Sequence, residues 1–179
     1  MLPNPLHPAV VHFPIVFMVL LPFVALGAIW AIRRGASPRR AWAFPLVTAA
    51  VLTLSGWIAS RTGESEEERV ENAVSEQALE GHEEAAERFV VLSAALLAVA
   101  AAGLLRGGVG RSARIVASAG AVGLAALGAQ VGHTGGELVY RHGAASAYTA
   151  TPAEMGAAGA AARSEREAAA RSEREAEDD

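Results

Sequence analysis

In this chain of 179 residues, 52% are hydrophobic, the mean hydropathy is +0.28 and the charges are bunched, which argues against a soluble domain. The absence of cysteine excludes disulfides, iron–sulfur clusters and thiolate metal sites. The fifteen basic residues are all arginine in a chain of net charge −4 and form no stripe interleaved with aromatics, so nucleic acid is not an expected partner.

The first apolar run covers about residues 9–32 and opens with His7-Pro8-Ala-Val-Val-His12-Phe13-Pro14. Proline suits the first turn of a helix, where its missing N–H would have no partner. Pro8 or Pro14 can fill that position, but both can do so only with a local break. No basic residue precedes the run, so it reads as an uncleaved span and not as a secretory signal. Pro22 removes a further backbone bond and predicts a kink near Met18, on a face turned toward other helices. A short turn with Arg33, Arg34, Arg39 and Arg40 leads to a second run at about residues 41–60, where Trp42 and Trp57 are expected as interfacial anchors.

Residues 61–88 hold ten Glu against three Arg. Val70, Val74, Ala78, His82, Ala85, Phe89 and Leu92 recur at helical spacing, while Glu76, Glu80, Glu83, Glu84 and Glu87 fall on another face. This pattern predicts a third helix that begins near residues 66–69, outside the membrane, and continues through the third run at about residues 89–105. Gly81 is its weak point, at about 1 kcal/mol relative to Ala, and His82 faces inward. Arg106, Arg111 and Arg114 mark the next turn, and the fourth run covers about residues 115–133. The low-complexity tail, residues 149–179, repeats Arg163-Ser-Glu-Arg-Glu167 at Arg171-Ser-Glu-Arg-Glu175, a composition that gives a disordered linker or a solvated helix.

A bilayer core about 30 Å thick asks for about 20 helical residues. The four runs therefore predict an all-α membrane protein. Residues 1–148 form a four-helix transmembrane bundle, with the third helix extended outside the membrane. Short Arg-rich loops stay cytoplasmic. Both Arg turns then lie inside, and the acidic segment and both termini lie outside.

All five histidines, His7, His12, His82, His133 and His142, fall in the outer half of this arrangement. Gln130, His133 or Thr134, and Glu137 stand at successive i, i+3 or i+4 steps and form one polar stripe. Gly128, Gly132 and Gly136 beside it predict the close approach of another helix. His133 reads as a haem or metal ligand oriented by Glu137, or as an interfacial histidine that bridges helices. His82 reads as a second ligand, or as a buried histidine satisfied by Gln130 or a backbone carbonyl. His7 and His12 lie about 140° apart on a regular helix and share a face only if the helix breaks between Pro8 and Pro14. The cluster of Glu83, Glu84 and Glu87 is a hard-cation site or, more simply, a solvated helix face. The candidate cofactor-binding set is thus His12, His82, His133, Gln130 and Glu137, and the candidate metal ligands are His7, His12, His82 and His133. No nucleotide loop, nucleophile elbow or His-Glu-x-x-His pair is present, so no catalytic residue is assigned.

Three segments taken together, His7–Ile15, Gly81–Glu84 and Gly132–Gly143, resemble the bacterial family of predicted membrane proteins called domain of unknown function 2231, over about residues 5–145. The resemblance implies a multi-pass protein of the bacterial inner (plasma) membrane. Related domains occur fused to Rieske or cytochrome c-type modules, which implies a redox neighbourhood. Two functions follow as expectations. One is a protein that binds haem b, a transition metal or a quinone at an outward histidine site and serves electron transfer. The other is a non-catalytic structural or assembly subunit that docks a redox or other membrane protein through its outer face.

Overall fold

The computed structural model describes residues 6–70 and 74–149, with residues 160 and 164. Its elements are all helices: α1 (His7–Val10), α2 (His12–Arg33), α3 (Pro38–Glu64), α4 (Glu67–Val70), α5 (Glu76–Ala102), α6 (Gly107–Tyr140) and α7 (Ser146–Thr149). Four of them are long and apolar enough to cross a bilayer, with α1 and α2 counted as one span, His7–Arg33. At 1.5 Å per residue, the 27 residues of α3 run about 40 Å and the 34 of α6 about 51 Å. Both therefore project beyond a hydrocarbon layer of about 30 Å.

The first span has the local break that two prolines demand. Pro14 has no N–H to give Val10, so the helix is interrupted at Val11, with Pro8 in the first turn of α1. Around the seam the ladder continues, from Val11 N–H to the His7 carbonyl (3.1 Å) and from Ile15 N–H to the Val11 carbonyl (3.3 Å). The third long helix departs from the expected course. It begins at Glu76 and not near residues 66–69, because α3 runs on to Glu64 and the chain then turns. That turn is fixed by Glu66 N–H on the Gly63 carbonyl (2.9 Å), and α4 is a single separate turn. The tail beyond residue 149 lies, apart from residues 160 and 164, outside the described residues.

Adjacent spans pack as antiparallel neighbours, α2 on α3 and α5 on α6, and the two hairpins join through α3 with α5 and α2 with α6. The core is small: Ala25, Ala49, Ala100 and Ala121 sit between helices, filled in by Met18, Leu52, Phe89 and Leu124. The packed face of α6 runs Ala117, Ala121, Leu124, Gly128 and Leu138, steps that extend the three-and-four alternation of a left-handed helix seam. Phe23, Phe44 and Trp30 are 69%, 72% and 62% exposed, an apolar outer surface that lipid covers. Hydroxyls in the spans bond to their own helix, as Ser93 does to the Val90 carbonyl (2.8 Å) and Thr53 to the Ala49 carbonyl (3.0 Å). Among the described residues no buried side-chain nitrogen or oxygen lacks a partner, as hydrocarbon requires.

Trp42 is not the interfacial anchor expected from its position. It is fully buried, its indole N–H bonds to the Ala100 carbonyl (2.8 Å), and it lies against Gly103, where a side chain would overlap it. The exposed tryptophans are Trp30, stacked under Arg34 at 5.1 Å, and Trp57, under Arg61 at 5.8 Å. Arg39 Nε donates to the Leu104 carbonyl and Arg114 to the Gly103 carbonyl. Cations thus satisfy orphan carbonyls at the end of α5. These bonds place both Arg turns at one end of the bundle.

Candidate functional site

At the opposite end, two histidines are held in parallel ways. Glu66 reaches across to the start of α1, where its Oε1 accepts from Leu6 N–H (2.7 Å) and His7 N–H (3.3 Å), donors with no partner inside a helix. This fixes His7 against α3. Its Nδ1 lies 2.8 Å from the Ala59 carbonyl and 3.4 Å from the Thr62 hydroxyl, which itself donates to the Ala59 carbonyl. A carbonyl only accepts, so Nδ1 carries the proton and Nε2 is left with its lone pair.

His82, on the inward face of α5, repeats the arrangement on α6. Its Nδ1 lies 2.9 Å from the Thr134 hydroxyl, and that hydroxyl spends its only hydrogen on the Val131 carbonyl (3.0 Å). In that arrangement the hydroxyl accepts, and His82 too carries its proton on Nδ1. Glycine makes room for each ring: a Cβ on Gly63 would come to 3.3 Å from His7, and one on Gly135 to 3.0 Å from His82.

Both rings line a cleft of about 1130 Å³, whose walls include Gly63, Gly135 and Leu138 and the carboxylates of Glu64, Glu67 and Glu83. His82 and Glu83 belong to the charged extension of α5, before the apolar segment begins at Phe89. Burial, and then the nearby His7, hold the His82 imidazole below its usual pKa, so its neutral form prevails. Burial, and then Glu67, Glu80 and Glu64, push the Glu83 carboxyl above the usual range.

The other expected site residues lie elsewhere. His12 is exposed, with Nδ1 3.3 Å from the Ala9 carbonyl. The stripe on α6 exists, with His133 Nε2 3.7 Å from Glu137 Oε1, but it faces outward: the His133 side chain is 71% exposed and Gln130 is exposed as well. Glu137 pairs with Arg141 at 2.7 Å, and His142 is exposed. His12, His82 and His133 are therefore not brought together, and Gln130 does not reach His82. The reason is helical phase. The seam of α6 passes through positions 128, 131 and 135, and residue 133 is about 200° away from 131. Glycine follows the same phase. Gly128 meets Met18 and Phe89, whereas a Cβ on Gly132 or Gly136 would enter open space. The useful signal was the pair Thr62-Gly63 and its echo Thr134-Gly135, each opposite a histidine. Among the described residues no group of three or more His, Asp or Glu side chains is gathered closely enough to enclose a metal ion.

The fold and this polar end define a class: an all-helical, four-span membrane protein with a histidine-bearing cleft at one end of its bundle. The chain belongs to the family of predicted membrane proteins designated domain of unknown function 2231 (DUF2231), whose sequence profile matches residues 3–148. No curated protein and no solved structure matches it.

Proposed function

We propose that this is a multi-pass protein of the bacterial plasma membrane, with both termini outside, whose outer cleft binds a divalent transition-metal ion through His7 and His82 in a redox setting. One observation carries this reading: each ring has its Nδ1 within hydrogen-bond distance of an oxygen of the neighbouring helix, an arrangement in which Nε2 keeps the lone pair. Ligating histidines are held in this way, because the second-shell acceptor fixes tautomer and orientation. Imidazole favours zinc, copper, nickel or iron over the hard cations that carboxylates take alone. A quinone fits less well, because its carbonyl needs a donor and each neutral ring has committed its N–H to the neighbouring helix.

Two protein donors leave coordination positions for water or a partner's groups, which suits an ion that is exchanged or passed on. The competing reading, a metal-free assembly subunit, draws on the outer surface. Glu84 and Arg88 pair in the open, and His133, Arg141 and His142 are exposed nearby, a charged face suited to docking another membrane protein. Metal analysis and an optical spectrum of the purified protein separate the readings. The expected result is a stoichiometric first-row metal lost on His82→Ala, with no Soret band. A metal-free preparation that also takes up no added metal sinks the proposal in favour of docking, and a Soret band lost on His82→Ala sinks it in favour of haem.

A further inference from the structure

The two histidine seats are alike in more than their hydrogen bonds. One offset carries Ala59, Thr62 and Gly63 of α3 onto Val131, Thr134 and Gly135 of α6. In each triplet the threonine donates to the carbonyl of the first residue, and the glycine backs the imidazole. The same offset runs down both helices. It carries Ala49, Leu52 and Gly56 onto Ala121, Leu124 and Gly128, residue for identical residue, and all six are buried. Pro45 falls on buried Ala117, and Arg39 falls on Arg111 at the start of the helix.

The spans that carry the histidines match as well. The offset that takes His7 to His82 takes buried Pro14, Met18 and Ala25 to buried Phe89, Ser93 and Ala100. It also takes Leu21 to Leu96 and Ala28 to Gly103. The helix contacts follow the same scheme: each histidine-bearing span packs on the helix that follows it and on the corresponding helix of the other hairpin. The inner ends diverge, where Trp42 corresponds to Arg114 and the two bond to different carbonyls, those of Ala100 and Gly103.

We infer that the chain is one helical hairpin present twice in tandem, and that a single transition-metal ion sits between the two copies, held by one Nε2 from each. His7 and His82 are then the same residue twice, and Thr62 and Thr134 are positioning residues that act through them. The location of the ion rests on the function proposed above; the repeat does not.

Cobalt(II) titration of the purified, chelator-stripped full chain in detergent, read by visible absorption and calorimetry, tests the inference. The expected result is one ion per chain. His7→Gln and His82→Gln should each weaken binding by similar factors, and Thr134→Val should weaken it by about tenfold or more. His133→Gln, outside the cleft, should bind as the parent does. Two ions per chain would overturn the shared site while leaving the metal reading intact, and the wild-type stoichiometry decides this even if a variant misfolds. Unchanged binding in one of the histidine variants would do the same. No uptake of cobalt by the wild type would overturn both.

Discussion

Trp42 and Gly103 show how much of this bundle rests on single contacts between unlike residues. The indole is fully buried, bonded to the Ala100 carbonyl and seated where Gly103 has no side chain. Gly103→Ala would drive a methyl group into a ring that cannot move without breaking that bond. Overpacking of this kind costs about 1–3 kcal/mol, seen as a lower melting temperature in detergent. Gly132 and Gly81 behave in the opposite way, because a Cβ at either meets nothing within 4 Å and both lie within helices. Gly132→Ala and Gly81→Ala should therefore be neutral or stabilising by up to about 1 kcal/mol. Equal losses at Gly103 and Gly132 would show that the packing described for α6 is wrong. Glycine spacing alone does not distinguish the two cases; the phase of the buried seam does.

The helices themselves were legible in the residues, and their faces were less so. Length and hydropathy suffice for four spans, since a bilayer imposes a minimum run and the Arg turns bound it. The inward placement of His82 followed from the period of Ala78, His82, Ala85 and Phe89. The same row then fails at Leu92, which is exposed, while Ser93 takes the buried position. Inside a membrane, hydrophobicity no longer marks the inside of a helix, because lipid accepts leucine as readily as a neighbour does. Small residues mark it only where their phase matches the seam, as Gly128 does and Gly132 does not, and the Gln130, His133 and Glu137 stripe lies on the exposed side of α6. The extension of α5 also carries adjacent groups shifted by the same burial in ways that pull stability in opposite directions. The His82 pKa is depressed when folded, so its contribution is present above the ordinary value of 6.5 and is lost as pH falls through the folded value. The Glu83 pKa is raised when folded, so its contribution is present below the ordinary value of 4.5 and is lost as pH rises through the folded value. Acidification from pH 7 should first lower the melting temperature through His82. His82→Gln should flatten that limb while leaving the relief from Glu83 at lower pH. A mutant curve parallel to that of the wild type would mean that His82 is not buried as described.

At the scale of the whole molecule, the bundle has two chemically distinct ends, and the membrane decides which of them faces out. One end gathers Arg39 and Arg114 onto the carbonyls just past α5, with Arg33, Arg34, Arg40, Arg106 and Arg111 in the same two turns. The other gathers His7, His82 and the carboxylates of the cleft. Translocating seven arginines in two short turns is disfavoured relative to leaving them in the cytoplasm, and no carboxylate stands in either turn to offset them. The cleft should therefore open to the extracytoplasmic side. The absence of native cysteine makes the test direct, because any introduced thiol is the only one present. Ser75→Cys, at the start of α5, should react with a membrane-impermeant maleimide in intact spheroplasts. Ser37→Cys and Ser112→Cys, at the Arg end, should react only after the membrane is opened. The reverse pattern would place the histidine cleft in the cytoplasm, and the proposed ion would then have to come from the metal pool of the cell interior.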